Sequence, residues 1–200
     1  MASTRGSTTD PGPSRGSSNE AGSARGSSSD RRSRIETSPP IDHYTGTLYK
    51  ALGATDWSAA ERRWALAHLL IHDKDAGIVA AGSWDPVDLS RAVSGSGTRG
   101  SLSERSESKG GPLLIDARSK EYVRLIPAPD TAFSLRVVSE GDDGRRLAIS
   151  HWNKHHKGVL ARALVRDRPR IGGIASLLSW AQDAGVRLER VGDRELDLVV

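Results

Sequence analysis

Beyond residue 112 the chain alternates between apolar and polar positions. Phe133, Leu135 and Val137 recur at period two with polar residues between them, and Leu147, Ile149 and His151 do the same. That spacing predicts two half-buried strands, and Gly141-Asp-Asp-Gly144 between them supplies the turn of a hairpin. Leu113-Leu-Ile115 predicts a short buried strand, and a further element falls at 122–126, ended by Pro127 and Pro129. After Ser150 the period lengthens. Trp152, His156, Val159, Leu160, Ala163 and Leu164 share one sector of a helical wheel, which predicts a helix over 152–165 packed by that face on the sheet. Ile174, Leu177, Leu178 and Ala181 predict another helix, stopped at Gly185. Residues 186–191 and 195–200 alternate about a Gly192-Asp193 turn. The fold class predicted is α+β, a mostly antiparallel sheet with packed helices.

The stretch 41–93 reads as the helical part. Residues 44–53 predict a turn and short helix stopped by Gly53. Ser58-Ala-Ala-Glu61 has the spacing of a capping box, in which Ser and Glu satisfy each other's backbone amides at a helix start. Ala60, Trp64, Ala67 and Ile71 then mark one buried face. Gly77 and Gly82 weaken any continuation, and 83–88 reads as a turn with a short helix after it.

Two segments have no periodicity. Residues 1–40 repeat an Arg-Gly-Ser unit every ten positions, starting at Arg5, Arg15 and Arg25, with almost nothing to bury. Such a tail cannot offset its ordering entropy and is expected to be disordered. Residues 94–111 are a second low-complexity run, expected to be a loop between the helical part and the α+β part at 112–200. The hydrophobic fraction is 36%, with a single Phe and no Cys, so disulfides, thiolate metal sites and a Cys nucleophile are excluded. No run approaches the ~18 apolar residues of a membrane span, and the N-terminus lacks a signal-peptide core, which implies a cytoplasmic protein without membrane partners.

Charge changes the picture most. Between Arg145 and Arg170 eight Lys/Arg face one acid, Asp167, a balance of +7 in a chain whose total is only +4. Charge so concentrated is the footprint expected of a polyanion partner. Arg145, Arg146, Lys154, Lys157, Arg162 and Arg166 are the candidate phosphate contacts, against the alternative of an ordinary solvated helix face. Gly158, which costs about 1 kcal/mol relative to Ala inside a helix, implies a close approach there by another backbone or by a phosphate. Asp116-Ala-Arg-Ser-Lys-Glu-Tyr122 packs functional groups just after a strand, and a capped turn competes with a site as its explanation. His151, His155 and His156 lack a carboxylate to complete a metal site, and Leu69 stands where His68-x-x-x-His72 would need Glu for a zinc-protease motif. No metal or cofactor is expected.

At these two motifs the chain resembles the YaaA family (peroxide stress protein YaaA, the UPF0246 group). Asp116, Ser119, Glu121 and Tyr122 match its Asn/Asp-x-x-Ser-x-Glu-Tyr signature. Ser150, Lys154, Lys157, Gly158, Ala161 and Arg162 match its later Ser-Lys-Gly-Ala-Arg signature. Tyr44, Gly46 and Tyr49 match its central Tyr-x-Gly-x-x-Tyr element, and the actinobacterial-type members are the most similar. The family's N-terminal strand motif and a central block are missing or scrambled, so an incomplete version of the fold is expected. The resemblance implies a cytosolic protein of the peroxide and oxidative stress response that binds double-stranded DNA, a binding role being favoured over an enzymatic one. The alternatives are an enzyme of unassigned chemistry on an anionic substrate, with Glu121, Lys154 and Ser119 as its candidate groups, or a vestigial member without activity.

Overall fold

The computed structural model describes residues 38–94, 112–150 and 152–200. The repetitive tail up to residue 37, the low-complexity run at 95–111 and His151 lie outside the described residues. The chain enters through a 3-10 turn, Pro40–His43, and helix α1 (Thr47–Leu52), which ends at Gly53 in the left-handed region, φ +67°. A second 3-10 turn, Ala54–Asp56, leads to α2 (Ala59–His68). The capping box forms as the sequence predicts: the Ser58 backbone amide donates to Glu61 Oε2 at 2.7 Å, and the Glu61 amide donates to Ser58 Oγ at 3.3 Å.

The buried face predicted for this helix is corrected. The helix stops at His68, Ala65 is its buried residue, and Ala67 is exposed. Ile71 belongs to a strand. The helical part, in which 83–88 was expected to be a turn, in fact carries a three-stranded antiparallel meander: β1 (Leu70–Asp73), β2 (Gly77–Ala80) and β3 (Ser83–Pro86). Gly77, at φ +78°, closes the β1–β2 turn, so the glycine that weakened a helix is the residue the hairpin requires. Helix α3 (Leu89–Ser94) follows, where the short helix was expected.

The second sheet contains β4 (Ile115–Asp116), β5 (Phe133–Glu140), β6 (Arg146–Ala148), β7 (Leu188–Arg190) and β8 (Glu195–Val199). Its order is β4-β5-β8-β7, with β6 also on β5. Among the described residues four of the six strand pairings in the two sheets are antiparallel, so the mostly antiparallel expectation holds. The centre differs, because β5 runs parallel to both β4 and β8. The element expected at 122–126 is helix α4 (Lys120–Leu125), packed between β4 and β5 in sequence. Helices α5 (Asn153–Asp167) and α6 (Ile174–Asp183) connect β6 to β7. No helix among the described residues is long and apolar enough to cross a membrane.

Two apolar cores result, and α5 belongs to both. Phe133, Leu135 and Val137 of β5 pack with Leu188, Leu196, Leu198, Leu177 and Ala181 against Leu160 of α5. Ile41, Leu52, Ala65, Ile71, Val79 and Ala81 form the other core with Val165 of α5. The single packing sector predicted for this helix is therefore corrected: Trp152 is 56% exposed and Val159 45% exposed, while Lys157, Gly158, Leu160 and Val165 are buried. A helix held between two layers has no single polar face to read. Gly158 permits the second contact, since a Cβ there would run into the Leu48 carbonyl oxygen and sit 2.7 Å from Ala51 Cβ of α1. The close approach implied by that glycine is made by another backbone.

Candidate functional site

The convergence of β1, β4 and the start of α4 with α5 brings together groups from both sequence motifs. Asp116, at the end of β4, accepts two bonds from the Arg118 guanidinium, 2.9 Å from Nε to Oδ1 and 2.7 Å from Nη2 to Oδ2. The Arg118 backbone amide adds a third at 3.0 Å. Both side chains are largely out of solvent, 8% exposed for Asp116 and 15% for Arg118. Burial by itself would raise the Asp116 carboxyl. The Arg118 bonds and charge, helped by Lys157, outweigh it and hold the group below the usual carboxylate range.

Arg118 reaches across to the meander, with Nη1 3.2 Å from His72 Nδ1. A guanidinium has only donors, so His72 Nδ1 must accept and the imidazole is neutral, with its proton on Nε2. Burial and the Arg118 charge push the His72 pKa down in accord with that tautomer. The His72 ring meets the edge of Tyr122 at 4.9 Å. On the α5 side, the Lys157 Nζ donates to the Arg118 carbonyl oxygen at 3.5 Å, and Lys157 is 7% exposed. Burial lowers its pKa, and nearby Asp116 opposes the shift.

A second set of groups adjoins His72. The Tyr44 hydroxyl donates to Asp73 Oδ2 at 2.6 Å, and Asp73 Oδ1 accepts from the amides of Asp75 and Ala76 at 2.8 and 2.7 Å. Those bonds keep Asp73 ionised despite its partial burial. Tyr44 stacks on Tyr49 with ring centroids 4.8 Å apart, and burial, with the charge fields of Tyr122 and Asp73, pushes Tyr49 up to about 12. Tyr44 moves up further, through burial and its bond to Asp73. Both phenols are neutral donors at any physiological pH.

No family model matches this chain. Individual proteins do. It is 34% identical over 167 residues to a UPF0246 protein of Corynebacterium efficiens and 33% identical over 166 residues to one of Corynebacterium glutamicum, each alignment covering 76% of this chain and 65% of the relative. A UPF0246 protein of Streptomyces coelicolor is 29% identical over 169 residues, 76% of this chain and 62% of that protein. The chain belongs to the UPF0246 family. It spans 65% of the length of the Corynebacterium relatives it matches.

In this UPF0246 protein the residues expected from the sequence divide into three groups. Asp116, Tyr122, Lys157 and Gly158 lie at the seam, Gly158 as the packing point of α1. Glu121 and Lys154 stand at its rim, exposed. Glu121 is held low first by a hydrogen bond from the Ser119 side chain, with the Lys154 charge a smaller contribution in the same direction. Ser150 is exposed at the turn before α5.

The remaining cations point elsewhere. Arg146 is bound by Glu140 at 2.9 Å and Glu189 at 2.6 Å, on the sheet face where Asp197, 1% exposed, pairs with Arg136 at 2.8 Å. Arg162 lies against Gly53 at the end of α1, its Cζ 3.3 Å from where a Cβ would stand, and 3.7 Å from Asp56. Arg166 contacts Asp167 at 2.8 Å, and Arg145 extends into solvent 4.0 Å from Asp143.

Arg118 and Asp73 were not singled out from the sequence. For Arg118 the signal was present, an Arg two residues past the Asp at a strand end, where both side chains can fold onto one turn. The His68-x-x-x-His72 pair is split between two elements, His72 standing in β1 while His68, at the end of α2, stacks on Trp64 at 4.1 Å. The open depressions on the surface, in the β5–β6 hairpin and beside α6 and β7, lie away from these groups.

Proposed function

We propose that this protein binds double-stranded DNA through the phosphate backbone and acts in the cytoplasmic response to peroxide. The observation that supports the binding face is the row Lys154, Arg162 and Arg166 along α5, all exposed, preceded by Arg145 at the hairpin. Arg162 and Arg166 have acid partners, but exposed pairs are worth about 0–1 kcal/mol and exchange readily for a phosphate. Arg146 and Lys157 drop out of the contact set, one tied to Glu140 and Glu189 and the other buried.

Four backbone contacts give affinity without sequence choice. They set a log–log salt slope of about −3 to −4 in a duplex titration followed by fluorescence anisotropy. Lys154→Ala and Arg162→Ala should each reduce the slope by about 1, uniformly across duplex sequences, and Arg146→Ala should not. A salt-independent titration refutes the duplex reading. Cells lacking the protein should lose viability in hydrogen peroxide, and unchanged survival refutes the stress role.

A second reading, an enzyme acting on an anionic substrate, is favoured by the Ser119 hydrogen bond and the Lys154 charge both holding Glu121 ionised. Glu121 would serve there as acid or base and Lys154 as the charge that orients the substrate.

A further inference from the structure

The seam between the two cores leaves a charge account open. Arg118 and Lys157 are two cations, His72 is neutral, and Asp116 is the acid that meets them. Over Arg118, Lys157 and Asp116 the balance is therefore +1, Asp73 lying beyond His72 with the Tyr44 hydroxyl as its bonded partner. Buried charge is tolerated when paired and hydrogen-bonded, and is expensive otherwise. Asp116 spends both its oxygens on the Arg118 guanidinium, which leaves Lys157 without a bonded carboxylate.

Lys157 also has donors to spare. An ammonium carries three N–H groups. The described residues give it one acceptor, the Arg118 carbonyl at 3.5 Å, beyond the 2.7–3.2 Å of a normal N–H···O bond. Its stem is fixed by the burial of α5 between two cores, so the head cannot swing into bulk water without disrupting that packing. Nearby, His72 Nε2–H is a further donor, because Nδ1 is committed to Arg118. Donors thus come from α5 and from β1, with Asp116 already bonded to Arg118 and Asp73, the acid beyond His72, bonded to Tyr44.

We propose that the seam beside Lys157 is a binding site for the phosphoryl group of a small molecule, with the Lys157 ammonium and the His72 Nε2–H donating to its oxygens and Arg118 supplying the field behind them. A phosphoryl group brings the negative charge the seam lacks and more acceptor positions than a carboxylate, which suits donors arriving from two elements. Duplex DNA does not fit the same description. Lys157 is 7% exposed, whereas a backbone phosphate in a duplex needs a contact standing at the surface, as Lys154 does. The site gives the anionic-substrate reading a ligand class, yet it stands or falls on binding alone, whether or not turnover follows.

The test uses the full chain and inorganic phosphate as the probe, at constant ionic strength balanced with chloride. Phosphate should give a saturable rise in melting temperature and saturable amide shifts at Arg118, His72 and Lys157 in a nitrogen–proton correlation spectrum. Lys157→Met should weaken phosphate binding at least tenfold, while Arg91→Met, at an exposed cation of α3 outside both sites, should leave it within twofold. The wild-type spectrum decides the matter if Lys157→Met fails to fold. Shifts confined to Arg145, Lys154 and Arg162, or no saturable response beyond chloride, overturn the site. A short duplex that competes phosphate away from the seam overturns the small-molecule assignment in favour of a backbone phosphate. Duplex binding that survives Lys157→Met, together with lost phosphate binding, supports both the site and the separate DNA face.

Discussion

Gly158→Ala isolates the contact on which the two-core arrangement of α5 depends. The added Cβ falls against the Leu48 carbonyl oxygen and 2.7 Å from Ala51 Cβ, where nonbonded carbons normally stand at 3.5–4.0 Å. Neither obstacle can rotate away, one being backbone and the other a Cβ. Helix α1 must therefore back off by about 1 Å along most of its contact, loosening the packing around Leu52 as it moves. Overpacking of this kind costs about 1–3 kcal/mol, and an obstacle made of backbone belongs at the upper end. Replacing a mid-helix Gly returns about 1 kcal/mol of propensity. The net loss should be about 2 kcal/mol, or roughly 4–8 °C in melting temperature for a chain of this size. Urea denaturation followed by circular dichroism measures it directly. Gly172→Ala serves as the control, because nothing lies within 4 Å of its Cβ position. Adding Ala51→Gly should recover part of the loss and no more, since the Leu48 carbonyl remains in the way. A Gly158→Ala variant as stable as the parent would refute the close α1–α5 contact.

Asp116→Asn keeps the shape of the seam and removes its acid, leaving Arg118 and Lys157 as uncompensated cations. Breaking a buried pair in this way should cost about 3 kcal/mol in urea unfolding, part of it regained on adding Lys157→Met, and a single-variant loss below about 0.5 kcal/mol would contradict the pairing. Stability should also fall as pH drops below about 6.5. The folded state keeps His72 neutral through burial and the Arg118 charge, and burial lowers His156 too, whereas the unfolded imidazoles take up protons from about 6.5 downward. The unfolded chain then binds more protons than the folded one, so the slope of stability against pH is positive in that window, and it is lost above it. Midpoints from urea titrations between pH 5 and 8 should show this slope reduced in His72→Gln; an unchanged slope in that variant would remove His72 as its source.

Elements whose signal is local were legible in the sequence. The turn of the β5–β6 hairpin, the Ser58 cap, the Gly53 stop and helix α6 each rest on residues a few positions apart, and each formed where it was expected. Strand β6, however, is only Arg146–Ala148, and its Leu147, expected to face inward, is 70% exposed. The meander at 70–86 was not legible. Its strands are four residues long, and Ile71, Val79 and Ala81 bury against α2 and α5 with no alternation long enough to separate strand from helix. Parallel pairing of β5 with β8 was equally hidden. Sixty residues part Ser134 from its partner Glu195, and nothing in either strand names the other. The sequence did place Asp116 and Lys157 in separate motifs, but their proximity exists only because α5 crosses the end of β4.

Charge shows the same limit most sharply. The +7 between Arg145 and Arg170 is a count along the chain, whereas electrostatic potential is set by neighbours in space. Arg146 looks free beside Arg145, yet it meets Glu140 six residues earlier and Glu189 forty-three residues later. Arg187 joins the same acids, contacting Glu140 at 3.1 Å and Glu189 at 3.6 Å, so this end of the basic run is spent on the outer face of the sheet. Lys157 is the opposite case. It has no acid near it in sequence, and among the described residues its one acidic neighbour in space, Asp116, is already bonded to Arg118. A basic run in sequence thus resolves into three environments: neutralised at Arg146, open to solvent at Lys154, and buried with an unfilled demand for negative charge at Lys157. Only the second faces a polyanion in solution, and the third is the demand that the proposed phosphoryl group would meet.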